Sequence, residues 1–384
     1  MTERLYYLDS YIHEFEAAVL ACEEQKKGYA IELDRTAFFP EGGGQPADTG
    51  FIGEVRVKDV HEKDGRILHY TDSPLAVGVH LSCRIDFEQR LRRMQNHSGE
   101  HVFSGITNRL HGYDNVGFHM SEECMTIDFS GELTWDELME IEKLANEAVR
   151  ENRPVIVSFP DEKELAALEY RSKKELSGEV RIVNISGIDL CACCAPHVKF
   201  TGEIGVIKVL FAERHRGGVR ISLVCGMDAL DDYRMKQDNV SAISALLSVK
   251  RHDTAKAVER ILSEQAKLKE KVALVSMELA ALKAASVKET EGNICLFDEV
   301  LDDVALRELV NLLMEKCGGM AAAFSGNDEQ GYKYIIGSRN IDLRANLKAI
   351  NAGIGGKGGG SREMIQGRAT GSAESIRNFF AQSL

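Results

Sequence analysis

The stretch Leu91-Arg-Arg-Met-Gln-Asn-His97-Ser-Gly-Glu-His101 places two imidazoles four residues apart. On a helix, positions i and i+4 stand on one face about one turn apart, so both rings can reach the same ion. Far along the chain, Cys193-Cys-Ala-Pro-His197 repeats that spacing in a segment holding Gly187 and Pro196, which predicts a loop that folds back to close the site. Three imidazole nitrogens and one thiolate suit zinc, and do not suit calcium or magnesium, which take oxygen. The expected set is His97, His101, Cys193 and His197, holding one Zn2+ per chain. Cys191 and Cys194 flank the thiol and either could substitute, although spacing favours Cys193. Four protein ligands are also the usual arrangement of a structural zinc, so spacing alone leaves structural and catalytic roles both open.

At 384 residues the chain is long enough for two to four domains and a sizeable core. Its 44% hydrophobic and 28% charged residues match an ordinary soluble globular protein. No apolar run approaches the roughly 18 residues of a membrane span, and Met1-Thr-Glu-Arg-Leu lacks a signal-peptide layout, so a cytoplasmic location with no membrane partner is expected. Nine cysteines, three of them between 191 and 194, fit reduced thiols plus a metal site better than a disulfide framework. Net charge is −13, yet residues 331–384 carry eight Lys/Arg against three acids, a net of +5, which leaves −18 on the rest. Two further basic clusters, Arg90/Arg92/Arg93 and Arg214/His215/Arg216/Arg220, flank the two ligand pairs in sequence; either could be plain solvated surface, but their position points to a polyanionic partner.

Working outward from the ligand helix, the fold class expected is α+β. Residues 1–88 predict a β-barrel-like domain: Val79, Leu81, Cys83 and Ile85 alternate, and Val55/Val57 precede the turn Asp64-Gly65, from which Ile67 to Tyr70 returns as a hairpin. Between them Phe38-Phe39-Pro40-Glu41-Gly42-Gly43-Gly44-Gln45 is too glycine-rich for a strand interior and reads as a loop, either a surface turn or a close approach of backbone to a ligand. Residues 89–238 predict an α+β zinc domain: the ligand helix to His111-Gly112, a strand at Met125 to Phe129, a helix opened by the capping box Thr134/Glu137 and stopped by Pro154, then strands at 181–185 and 205–211 around the cysteine loop. Residues 239–288 predict a helical coiled-coil linker, because Val258, Ile261, Gln265, Leu268, Val272, Val275, Leu279 and Leu282 keep the alternating spacing of three and four of a heptad seam. Residues 289–384 predict a C-terminal α/β domain with strands near 294–297, 320–324 and 334–336 and helices near 304–316 and 343–352. Its Gly353-Ile-Gly-Gly-Lys-Gly-Gly-Gly-Ser361-Arg362 reads as a loop that cradles phosphate. The order of a Walker loop is missing, so ATP hydrolysis is not expected.

Met94-Gln-Asn-His97-Ser-Gly-Glu-His101, the loop Arg35-Thr-Ala-Phe-Phe-Pro-Glu-Gly-Gly-Gly-Gln-Pro-Ala-Asp-Thr-Gly50 and the stretch Val116-Gly-Phe-His-Met-Ser-Glu-Glu-Cys-Met-Thr-Ile-Asp-Phe129 closely resemble the AlaX group of free-standing alanyl-tRNA editing proteins, which share the editing domain of alanyl-tRNA synthetase. Gly355-Gly-Lys-Gly-Gly-Gly-Ser361 is similar to that synthetase's C-terminal DHHA1 domain, the mark of the long AlaX form. The part of a synthetase that activates alanine with ATP has no evident counterpart. One departure stands out: the family's ligand loop usually has Gly-Gly-Thr or similar between Cys and His, where this chain has Cys194-Ala195-Pro196, which touches the amino-acid pocket and not the ligand spacing.

What the resemblance implies is zinc-dependent hydrolysis of the ester joining a wrong amino acid to tRNA(Ala), serine first and glycine second. An alanine pocket cannot reject either strongly, since a hydroxyl or a methyl is worth only about 1–3 kcal/mol there. Thr36 is the candidate reader of the serine hydroxyl, with Gln45 as polar partner and the backbone of Gly43 and Gly44 in the substrate-binding loop. Glu100 is the candidate base. The candidate tRNA contacts are Arg92, Arg93, Arg216, Arg220, Lys357, Arg362 and Arg368, and a homodimer is expected. Two other readings remain: a noncatalytic zinc-containing RNA-binding protein, and a zinc peptidase of the H-x-x-E-H type, which leaves Cys193 and His197 without a role.

Overall fold

The structure is a computed structural model and describes residues 2–172 and 180–382. The chain divides into two compact units, Met1–Val240 and Ser241–Leu384. The α+β class expected from the sequence holds in both.

In the first unit six antiparallel strands pair in the order Glu14–Glu24, Tyr29–Leu33, Arg66–Thr71, Val55–Lys63, Gly50–Ile52 and His80–Ile85, and the last pairs back with the first, so the sheet closes on itself. Closure removes the edges that an open sheet would expose. Alternate residues point inward: Val19, Ile31, Leu33, Ile52, Val57, Val60, Ile67 and Cys83 are buried together with Phe38 and Phe39. Asp64 and Gly65, with φ of 53° and 77°, make the tight hairpin that the sequence signals.

The ligand helix Phe87–His111 follows at once and ends on Gly112 in the left-handed conformation. It packs into a core with the helix Trp135–Arg150, whose Thr134/Glu137 capping box forms as expected, and with a four-stranded sheet in the order Ile207–His215, Gly218–Cys225, Met125–Phe129, Asn115–Met120. A three-stranded sheet of Val155–Ser158, Ile182–Ile185 and Asp189–Ala192 leads straight into the cysteine loop. Two glycines let the ligand helix approach these sheets closely. A Cβ on Gly99 would lie 2.2 Å from Cys225 Sγ, and one on Gly105 would lie 2.4 Å from the Ile188 carbonyl oxygen. The helix and the strand ring are clamped together by a buried ion pair, in which Arg90 is bonded to Asp48 and to the carbonyls of Ser10 and Ala37.

In the second unit the 33-residue helix Thr254–Ser286 precedes a five-stranded sheet in the order Ile294–Asp298, Ala321–Asn327, Gly331–Gly337, Met364–Ala369, Gly356–Gly360. The helix Asp303–Met314 covers one face together with Ala280 and Ala284 of the long helix. Helices Leu347–Ile354 and Ala373–Ala381 cover the other. The glycine run corrects the sequence expectation: Gly356–Gly360 is not a loop but the edge strand, paired antiparallel with Met364–Ala369. The packing explains this. A Cβ on Gly358 would lie 2.2 Å from the Tyr334 hydroxyl oxygen, and one on Gly360 would lie 2.2 Å from the Met364 carbonyl oxygen, so only bare backbone fits.

Candidate metal and editing centre

His97, His101, Cys193 and His197 converge: one donor atom from each lies within 4.8 Å of all the others. Cys193 Sγ is 3.5 Å from His97 Nε2 and 3.4 Å from His197 Nε2. A tetrahedral zinc at about 2.0–2.1 Å from nitrogen and about 2.3 Å from sulfur requires ligand separations of about 3.5 Å. The donor set therefore fits zinc in chemistry and in size. Cys191, the alternative thiol, instead groups with His101 and Asp189, and Cys194 turns outward toward the glycine turn, 3.7 Å from a Cβ placed on Gly43.

Each imidazole is held from behind. His97 Nδ1 donates to Gln45 Oε1 at 2.9 Å, His101 Nδ1 to Asp189 Oδ2 at 2.8 Å, and His197 Nδ1 to Ser98 Oγ at 3.0 Å. With every Nδ1 so occupied, each ring turns its Nε2 to the common point, the arrangement that fixes tautomer and orientation in metal sites. Asp189 is gripped in turn by Arg171, Nε to Oδ1 at 2.7 Å and Nη2 to Oδ2 at 2.9 Å. Arg181 ties the ligand loop by donating to the carbonyls of Cys193 and Ala195.

Burial would raise the Cys193 thiol, but the His97 and His197 imidazoles beside it, and hydrogen bonds from His101 and His197, hold it well below the usual thiol range. Burial pushes His197 down to about 3, leaving a neutral ring. For Asp189 burial opposes ionisation, and His101 and Arg171 outweigh it, keeping the carboxyl below the ordinary carboxylate value.

The glycine loop reaches this centre. Gly43 and Gly44, with φ of 62° and 82°, form a two-residue turn closed by reciprocal hydrogen bonds between Gly42 and Gln45. Gly44 lies flush against the strand Asn115–Met120, where a Cβ would meet the Phe118 carbonyl oxygen at 2.5 Å. The Phe118 ring lies 4.9 Å from that of His97, tilted by 44°. Gln45 is fully buried, and its Nε2 has no hydrogen-bond partner among the described residues. Thr36 is engaged elsewhere: its hydroxyl meets His69 Nε2 at 2.8 Å and accepts from the Phe38 amide. Because His69 Nδ1 faces the Ile31 carbonyl, the Thr36 proton goes to His69, so Thr36 has a lone pair to offer and no proton. Glu100 is buried, accepts from Ser104 and Asn115, and lies 3.8 Å from His101 Nε2.

The basic cluster on the ligand helix is not the surface patch that the sequence suggests. Arg93 is buried and donates to the Ala47 carbonyl, 3.7 Å from Asp48, and Arg92 grips both oxygens of Asp228. These charges brace the helix because its neighbours supply buried carboxylates and carbonyls, so Arg93 is withdrawn from any phosphate. Arg220 pairs with Asp128, whereas Arg216 is exposed at the hairpin turn with Gly217. In the second unit Lys357, Arg368 and Lys333 sit opposite one another on three adjacent strands and so form one basic row, with Lys333 also bonded to Asp303. Arg362 is exposed, 3.9 Å from Asp342.

Sequence reading missed the supports. Ser98 stands inside the quoted H-x-x-x-H pattern, and Asp189 is an acid between apolar Ile188 and Leu190, four residues before Cys193; that spacing was the available signal for Asp189. Nothing local marks Arg171.

Three family models match the chain: the second additional domain of threonyl and alanyl tRNA synthetases over residues 180–222, class II (A) tRNA synthetases over 10–89, and the DHHA1 domain over 285–383. The alanyl-tRNA editing protein AlaX-L of Pyrococcus horikoshii is 28% identical, covering 98% of this chain and 96% of its own length. Over nearly its whole length the chain resembles an alanyl-tRNA editing protein. The chain is also 33% identical to the alanine–tRNA ligases of Pyrococcus abyssi and Pyrococcus furiosus, over 96% of its own length but only 42% of theirs. It thus spans about two fifths of the ligases it matches. The C-Ala domain of Aquifex aeolicus alanyl-tRNA synthetase aligns at 16% identity with a TM-score of 0.22, over 25% of this chain and 99% of that domain.

Proposed function

We propose that this protein proofreads translation by hydrolysing the ester of mischarged tRNA(Ala), with serine as the preferred wrong amino acid and glycine as the second, at a zinc held by His97, His101, Cys193 and His197. The observation that carries this reading is the four-donor centre with a buried amide of Gln45 beside it, whose Nε2 is unpartnered among the described residues. Zinc bound there would supply an electrophilic anchor for the substrate's amino group or a water, for which the four protein ligands require expansion to five-coordination or exchange of one ligand. Gln45 orients His97 through Oε1 and offers its Nε2 proton to the seryl hydroxyl, while Thr36 offers a lone pair to the same group. A hydroxyl both donates and accepts, so serine answers both, whereas alanine and glycine alike leave the Gln45 donor buried and unmet, which ranks glycine well below serine; sites of this kind discriminate strongly. Glu100, held by Ser104 and Asn115, takes a proton from the attacking water. Arg216 and the Lys357/Arg368 row contact tRNA phosphates, the protein acts as a homodimer, and it works in the cytoplasm.

Ser-, Gly- and Ala-charged tRNA(Ala) assayed side by side test the reading. Serine release far above the spontaneous rate, with the alanyl ester spared, is the expected result. An unchanged ester half-life, with tRNA binding that weakens steeply in salt, would instead favour a noncatalytic RNA-binding protein.

A further inference from the structure

Among the described residues His69 is the buried imidazole that lies outside the four-donor centre, and nothing in the proposed reaction yet uses it. It sits on the strand Arg66–Thr71, paired with Ile31 across the ring of strands, and its ring meets that of Phe38 edge-on at 5.3 Å. Burial pushes its pKa down to about 4, so at neutral pH one nitrogen carries a proton and the other is bare. The contacts decide which. Nδ1 lies 3.0 Å from the Ile31 carbonyl oxygen, which can only accept, so Nδ1 holds the proton. Nε2 is then a pure acceptor, 2.8 Å from Thr36 Oγ1, and takes the hydroxyl proton. The Phe38 amide occupies one Thr36 lone pair from 3.1 Å, which leaves the second lone pair as the hydroxyl's remaining capacity.

We propose that His69 is a positioning residue that sets the amino-acid specificity of the centre by locking the Thr36 hydroxyl as an acceptor. The role rests on the deacylase reading, with Thr36 and Gln45 as the two readers of the substrate side chain. A buried seryl hydroxyl brings one proton and two lone pairs, so one donor and one acceptor satisfy it. Gln45 Nε2 is the donor. A Thr36 free to rotate can turn its own proton to the seryl oxygen, which sets two donors against that oxygen and leaves the seryl proton unmet. That state forfeits much of the discrimination against substrates without a hydroxyl. The lock removes it. Its outer partners are backbone groups, the Ile31 carbonyl and the Phe38 amide, so the polarity is fixed before any substrate arrives. Histidine suits the task because its two nitrogens take opposite roles within one rigid ring.

The test uses the intact, zinc-loaded protein and compares kcat/KM for Ser-tRNA(Ala) and Gly-tRNA(Ala). His69→Leu leaves the Thr36 proton without its acceptor and should lower the seryl value about tenfold or more. The glycyl value should stay within about twofold and zinc content should not change, because glycine has no hydroxyl to sense which way Thr36 points. His69→Gln, whose amide keeps a donor for Ile31 and an acceptor for Thr36, should retain most of the seryl preference. In a Thr36→Val background, His69→Leu should lower the Ser/Gly ratio no further. An unchanged ratio in His69→Leu, or an equal fall for both esters, would overturn the assignment. Nitrogen NMR shifts of the histidine rings give a second reading on the wild type. A proton on His69 Nδ1 is expected, and one on Nε2 would sink the lock even where His69→Leu does not fold. A wild-type protein that hydrolyses neither ester would instead strike at the deacylase reading itself, and the ring shifts would still judge the lock.

Discussion

The metal centre depends on residues one step behind the ligands. Asp189 has no other evident task than to hold the His101 ring, with Arg171 holding Asp189. Asp189→Asn should therefore lower zinc affinity about 10- to 100-fold, read by competition with a chromogenic chelator, while the fold survives. His69 carries a different prediction. Burial pushes its pKa down to about 4 from an ordinary value near 6.5, so the unfolded chain binds a proton more readily than the folded one between those values. The neutral ring's stabilising share is full above about pH 6.5 and is lost as pH falls toward 4, a loss of about 3 kcal/mol. Denaturant midpoints at pH 7 and pH 4.5 should differ more in the wild type than in His69→Gln. The convergence of four donor side chains was legible because i,i+4 pairs are a local pattern. Arg90 and Arg93 were misread because nothing near them in sequence announces Asp48 or the carbonyls that bury them.

Among the elements, the long helix Thr254–Ser286 shows most clearly what a pattern reveals and what it leaves out. Its heptad seam is present, but Val258, Ile261, Leu268, Val272 and Val275 are exposed at 42–62%, whereas Ala280 and Ala284 are buried against the helix Asp303–Met314. The small residues mark the face that packs within the chain, and the larger apolar stripe stays exposed, the face that the proposed homodimer would cover. Leu268→Asp should convert a dimer into a monomer in sedimentation analysis; a wild type already monomeric at micromolar concentration would refute this. The capped helix Trp135–Arg150 and the Val55–Thr71 hairpin were readable from capping and turn residues. The edge strand Gly356–Gly360 was not, because what makes it a strand is its long-range fit against Tyr334 and Met364.

For the whole molecule, the charge asymmetry is the sequence-level feature with the widest consequence. A chain of net charge −13 meets a polyanion only through local basic surface, and the Lys333/Arg368/Lys357 row supplies one. Replacing Lys357 and Arg368 by Ala should weaken tRNA binding and reduce the slope of log affinity against log salt by about 1.4–1.8, two phosphate contacts' worth. The more direct test lies at the centre itself. Protein purified without chelator should contain one zinc per chain and release serine from Ser-tRNA(Ala), and Cys193→Ala should lose both together. Full deacylation by a Cys193→Ala protein that carries no metal would contradict the account.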